Sequence, residues 1–385
     1  MTVALIIFGI ILFIGLVVVH EFGHFIYARR NGVVAEEFGI GFPPAIWSRK
    51  VKSKKGDFIF SVNWIMLGGF VRLKGEHDSD TEKGTFGAAS LAAKTKIMAA
   101  GVGMNLLAAL VLFTIVAWIG MPQIINNQFT VSSDSKLIKE AKNKDVVLIA
   151  KGGGLTEGSP AQKAGLREGD QILAVNQTKI TDPNLLPETT KANAGQTVTV
   201  TAKRDGTQFT KQVTLNKTSP YLGVGPVSGQ EGMDVIRSTW SAPIVSLGLT
   251  KQFTVLTIQG LGKALKGVGS IVAGVFSGNS DARRAGQTEA SNQVSGPIGV
   301  FKILHDGAKL GLGFVLLVMG LVSLSLAIMN ILPIPALDGG KLFFTYLARA
   351  RGRQLSETFE NYAYGISFAV LIALMILISI VDIRR

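Results

Sequence analysis

The chain has 385 residues and a formal net charge of +13, with 47% hydrophobic and only 17% charged residues. A mean hydropathy of +0.36, with the apolar residues gathered into long blocks, excludes an ordinary soluble domain and implies an integral membrane protein. The absence of cysteine excludes disulfides and thiolate metal sites, and the basic residues are densest in a loop flanked by apolar spans, so lipid headgroups rather than nucleic acid are their expected partners.

The first apolar stretch, Val3 to Tyr27, is too long for a signal peptide and lacks both a basic start and a small-residue cleavage site. Residues 1–30 are therefore read as a retained first span. The loop 31–96 is strongly basic and carries AIWSRK and DFIFSVNWIMLGGFVRLKGE, read as strands with a bend at Gly68-Gly69. Trp64, Ile65, Met66, Leu67 and Phe70 are too apolar for a solvated hairpin, so a β-sheet dipping into the membrane is expected, its backbone paired or covered.

A second span covers 97–120. Residues 125–225 turn polar, with alternation such as QTVTVTAKRDGTQFTKQVTL. Within them, GSPAQKAGLREGDQILAVNQTKI resembles a PDZ domain of the kind found in bacterial proteases, with Gln177 where glycine is usual. Such domains take an extended peptide as an added strand. The linker 226–309 holds a mostly apolar stretch, about Trp240 to Ser277, interrupted by Lys251, Lys263 and Lys266, which predicts an amphipathic helix on the outer surface. GNSDARRAGQTEASNQ follows and reads as a flexible loop. A third span covers 310–332, then come an LDGG segment and a second basic loop (333–360), and a fourth span with the C-terminus (361–385). The basic loops favour the cytoplasm, leaving the PDZ domain and both termini extracytoplasmic.

The chemistry is concentrated in HEFGH, residues 20–24. His20 and His24 are four apart and share one helix face, with Glu21 rotated roughly 100° beside His20. Two neutral imidazoles make half of a tetrahedral zinc site, and a neighbouring carboxylate can take a proton from water. Each ionisable side chain inside a span costs on the order of 2.5–3.5 kcal/mol, which argues for compensation by a metal. A bland alternative is a polar interface between helices. His77 and His305 read as solvent-facing, which leaves Asp338 in NILPIPALDGGK as the candidate for a third ligand. Pro333 and Pro335 end the helix before it, and Gly339-Gly340 allow close backbone approach.

HEFGH in the first span, NILPIPALDGG after the third and an external PDZ domain between spans two and three resemble the site-2 protease family of intramembrane zinc metalloproteases, in its bacterial form. LGGFVRLKGE is similar to the family's membrane-associated β-loop, and SGPIGV at 295–300 also matches. AAGVGMN departs from the pattern by having Val102 in place of proline. The resemblance implies a polytopic α-helical membrane protein with about four transmembrane helices, a membrane-associated β-sheet and one extracytoplasmic PDZ domain, in a bacterial inner membrane. It implies that His20, His24 and Asp338 bind Zn2+ and that Glu21 is the general base and then the proton donor to the leaving amine. Asn105 or Asn330 would hold the substrate backbone or the developing oxyanion, unless they serve only to bond helices together. Met66, Leu67, Gly68 and Gly69 would offer a strand edge to an unwound substrate.

The expected activity is hydrolysis within or beside transmembrane segments of single-span proteins, such as anti-sigma factors already trimmed by another protease, or signal-peptide remnants. A zinc transporter or sensor would need further intramembrane ligands along a path, and a silent PDZ scaffold would have lost Glu21 or Asp338.

Overall fold

The apolar N-terminal run folds as one continuous helix, α1 (Thr2–Arg30), closed by Gly32 at φ 79°, a left-handed conformation that glycine adopts without strain. The computed structural model describes the chain except at positions 1, 126, 139–143, 151–153, 182, 205, 232–233, 294–295 and 385. The described residues form two units, Met1–Lys136 with Ile236–Arg385, and Leu137–Val235.

In the first unit, strands β1 (Ala35–Val51) and β2 (Phe58–Leu73) follow α1. Both are bent, so their antiparallel register shifts repeatedly: Ala45 to Val51 face Phe58 to Asn63, while Phe38 pairs with Phe60 on one side and with Val71 on the other. The result is a sheet of four paired segments in the order 45–51, 58–63, 35–42, 69–73. Trp64, Ile65 and Met66 lie where β2 bends and are exposed, in keeping with an apolar tip. Segments 45–51 and 69–73 form the two edges of the sheet.

Ser90 caps helix α2 (Leu91–Ile119), its hydroxyl accepting from Ala93 N–H at 3.2 Å. The helix continues unbroken through Val102, which keeps the backbone donor that a proline would lack. The short strands β3 (Met121–Pro122) and β4 (Lys136–Ile138) come next.

The second unit contains β5 (Lys144–Ile149), α3 (Pro160–Lys163), β6 (Gln171–Val175), β7 (Thr178–Lys179), α4 (Leu185–Ala192), β8 (Thr197–Arg204), β9 (Thr207–Thr214) and β10 (Pro226–Glu231). The sheet order is β10-β5-β6-β8-β9 with β7 on β6, over a core that includes Val147, Leu166, Ile172, Val198 and Val200. The GDQI turn is held by buried Asp170, which accepts from Arg204 Nε at 2.7 Å and Nη2 at 2.8 Å. Asn176 alone among the described non-glycine residues has positive φ, 53°. Asparagine tolerates that conformation, so the turn does not demand a glycine at 177.

After β11 (Val235–Arg237), helix α5 (Ala242–Phe276) begins. Its first half is not a surface element: Val245, Leu249 and Phe253 are buried with Phe113 and Val116 of α2 and with Leu317. The segment expected to be a flexible loop is helix α6 (Ser280–Gln293). Asn279 Oδ1 accepts from Asp281 N–H at 3.0 Å, and Gly286 lies against the backbone of Gly267 and Ile271, so a small residue allows α6 to fold back on α5. Helices α7 (Pro297–Gly307) and α8 (Leu312–Ile331) follow, then α9 (Asp338–Ala350) and α10 (Glu357–Arg384). Position 295 of SGPIGV lies outside the described residues.

Four helices, Val3–Arg30, Leu91–Ile119, Leu312–Ile331 and Glu357–Ile380, are long and apolar enough to cross a membrane. The last is fastened at both ends by polar bonds. Near its start, Glu360 Oε2 accepts from Asp78 N–H at 2.9 Å. Near its end, Asp382 Oδ2 accepts from Gly296 and Gly299 N–H at 2.8 and 2.9 Å, capping α7.

Candidate active site

Helix α1 supplies His20, Glu21 and His24, and the LDGG connector supplies Asp338 at the first turn of α9. Leu332 is extended and the connector then folds into a turn, with Leu337 N–H donating to the Ile334 carbonyl, and a side chain at Gly339 or Gly340 would collide with the backbone of Ile331 or Ile334. The two glycines therefore let α9 start directly on that turn. A carboxylate in the first helical turn also faces the positive end of the backbone dipoles.

His20 Nε2 and His24 Nε2 are 3.1 Å apart, and each is 3.2 Å from Asp338 Oδ2. Both imidazoles are buried, and Asp338 Oδ2 is buried with no hydrogen-bond donor aligned on it. His24 Nδ1 lies 2.8 Å from the carbonyl of Ile97; that carbonyl accepts only, so Nδ1 carries the proton and Nε2 presents a lone pair. Donors at about 2.0–2.1 Å from a tetrahedral zinc stand about 3.3 Å from one another. The nitrogen and oxygen set, its spacing and the orphaned carboxylate oxygen all fit such an ion. Among the described residues this is the one cluster of metal-capable side chains.

A cavity of about 460 Å³ opens on the cluster, lined among others by Glu21, His24, Val71, Leu73, Asp338 and Tyr364. A second of about 450 Å³ lies on the other side of Asp338, lined in part by Val102, Asn330 and Tyr346. Asn330 is thus near the cluster. Asn105 lines neither cavity; it is buried, its Nδ2 is 3.2 Å from His20 Nδ1, and its Oδ1 has no partner. Its amide thus faces the His20 imidazole. A Cβ on Gly69 would sit 3.5 Å from Glu21 Cγ, so β2 runs close beside the carboxylate. Gly68 lies near Phe42 instead, and Met66 is at the exposed tip. The side chain of Leu67 is outside those described.

Sequence reasoning misses Gly101. Any side chain there would collide with both imidazoles, so the glycine makes room for them against α2. It also misses the buried charges of KGEHDSD. Asp78 accepts from Lys94 Nζ, from Arg349 Nη2 at 3.0 Å and from Leu355 N–H at 3.0 Å, and Asp78 and Lys94 are only 2% and 1% exposed. His77, expected in solvent, has Nδ1 3.4 Å from Glu360 Oε2.

Residues 8–374 match the model of Peptidase family M50. Among relatives, a Clostridium perfringens protein with a provisional zinc metalloprotease name is 28% identical, with 98% of each chain covered. Zinc metalloprotease RasP of Geobacillus kaustophilus is 24% identical, covering 98% of this chain and 97% of its own. The regulator of sigma E protease of Haemophilus influenzae is 25% identical, covering 96% of each. An HExxH helix fit to span a membrane, an aspartate brought to it from the far end of the sequence, and a family match over nearly the whole length agree: the chain belongs to peptidase family M50, the site-2 protease family of membrane zinc metalloproteases.

Proposed function

We propose that His20, His24 and Asp338 hold the zinc ion, that Glu21 is the general base, and that the protein cuts peptide bonds within or beside transmembrane segments of single-span proteins. The convergence of three donor atoms to 3.1–3.2 Å, two of them on a helix fit to span a membrane, carries this reading. Bound there, zinc would supply Lewis acidity, bringing the pKa of a water to about 7 and polarising the scissile carbonyl. Glu21 lines the same cavity, so it can take the proton from the attacking water and deliver it to the leaving amine. Asn105, beside His20, is read as orienting that imidazole, and Asn330, which lines the second cavity, as the contact to the substrate backbone or oxyanion.

A transmembrane helix hides its carbonyls in its own hydrogen bonds, so the substrate must unwind before it is cut. The edge segment Gly69–Leu73 supports pairing with the unwound strand, since Val71 and Leu73 line the cavity. Leu137–Val235 is read as the PDZ domain, a filter for external parts of the substrate, supported by its antiparallel sheet and the SPAQKAGLREGD stretch. The basic loops put it and both termini outside the cytoplasm of a bacterial inner membrane, and trimmed anti-sigma factors or signal-peptide remnants are the proposed substrates.

The test compares wild type with Glu21→Gln on a model transmembrane substrate, with zinc measured in both. Equal zinc and a loss of cleavage by about 10²- to 10⁴-fold are expected. Cleavage retained in the variant would overturn the mechanism.

A further inference from the structure

Among the groups lining the cavity is a cation for which hydrolysis itself gives no role. Lys341 lies one turn beyond Asp338 on α9, and its side chain lines the same space as Glu21 and His24. The side chain is only 19% exposed. Its ammonium is 4.9 Å from the centre of the Phe86 ring and 6.0 Å from that of Tyr364, and much of the wall is apolar, including Leu73, Met98, Pro335 and Phe368. Aromatic faces attract a cation but leave its three donors free to bond elsewhere.

Its ion-pair partner is Glu76, with 3.7 Å between Nζ and Oε2, longer than a hydrogen bond. Glu76 is 47% exposed, and its other oxygen accepts from Leu73 N–H at 3.1 Å. The carboxylate is therefore committed to its own turn and half in water, while the ammonium is sheltered and incompletely bonded. An entering anion competes well for such a cation; a positive charge brought beside it is repelled.

The position is within reach of the reacting bond. Three helical residues rise about 4.5 Å, and an extended peptide advances about 3.3 Å per residue. We propose that Lys341 is a specificity-determining residue that binds a substrate carboxylate within about three residues of the cut bond, with Glu76 as its partner in the free enzyme. This rests on the protease reading above.

The test uses membrane-spanning peptides in detergent carrying Glu, Gln or Lys at each of the three positions on either side of the cut bond. A parallel pair ends within that window as free acid or as amide. Wild type should favour Glu over Gln at one position or more by about fivefold in kcat/KM, as expected for one partly exposed charge pair. Lys341→Glu should reverse the order to favour Lys, and Glu76→Gln should raise the preference for Glu. A preference confined to the free-acid peptide would identify a chain terminus as the source of the carboxylate. If the uncharged peptide is cut by wild type but charge changes nothing, or if both variants keep the wild-type order, the assignment of Lys341 is wrong while the protease reading stands. If wild type leaves every peptide intact, both fall.

Discussion

Asn105 bears on how the imidazoles of the proposed zinc site are oriented. A histidine that binds a metal through Nε2 carries its proton on Nδ1 and must donate it. For His24 the acceptor is the carbonyl of Ile97. For His20 the neighbour is the Asn105 amide, whose Oδ1 is buried without a partner. Turning that amide about its last bond puts the oxygen on Nδ1, so metal binding satisfies both atoms at once. Asn105→Ala should weaken zinc binding by about 10- to 100-fold, measured by competition with a chelator, while Asn105→Asp keeps an acceptor and much of the affinity. Equal affinity in all three proteins would show that the amide does not act on His20. The HEFGH spacing was legible because a helix alone fixes residues four apart. The partner of Asn105 was not, because it depends on how α1 and α2 are rotated against each other. That rotation follows from Gly23, which lies against the Ala100 carbonyl, and from Gly101, which lies against the imidazoles.

Among the elements, α9 carries Asp338 at one end and Arg349 near the other. Arg349 is bound to Asp78, which also holds Lys94 of α2 and, through its backbone, Glu360 of α10. One buried aspartate thus ties three helices together. Removing one partner of a buried pair leaves the other charge uncompensated, at about 3–5 kcal/mol. Asp78→Ala should therefore lower the unfolding midpoint in detergent markedly, and adding Lys94→Met should restore much of the loss. A single variant as stable as wild type would mean that water reaches Lys94. KGEHDSD reads as a solvated loop because its partners are up to 282 residues away. By contrast, α6 was misread locally: polarity outweighed its alanine content and the Asn279 cap.

At the scale of the whole molecule, the four apolar helices and the polar insertion were legible from composition, because a lipid solvent demands long apolar runs and water demands their absence. What composition leaves open is the task of Leu137–Val235. If that unit filters substrates by external bulk, replacing it with a short flexible linker should raise the cleavage rate of a full-length substrate toward that of the same substrate already trimmed. An equal fall for both would show that the unit supports the fold instead. The attachment of α10 has a mechanical consequence. Glu360 holds one end and Asp382 the other, while exposed Ile366, Phe368, Val370 and Leu374 lie between, and Tyr364, Gly365 and Phe368 line the cavity. A beam clamped at both ends yields most at its centre, so sideways flexure of α10 costs least in its midsection, with its ends as fixed supports.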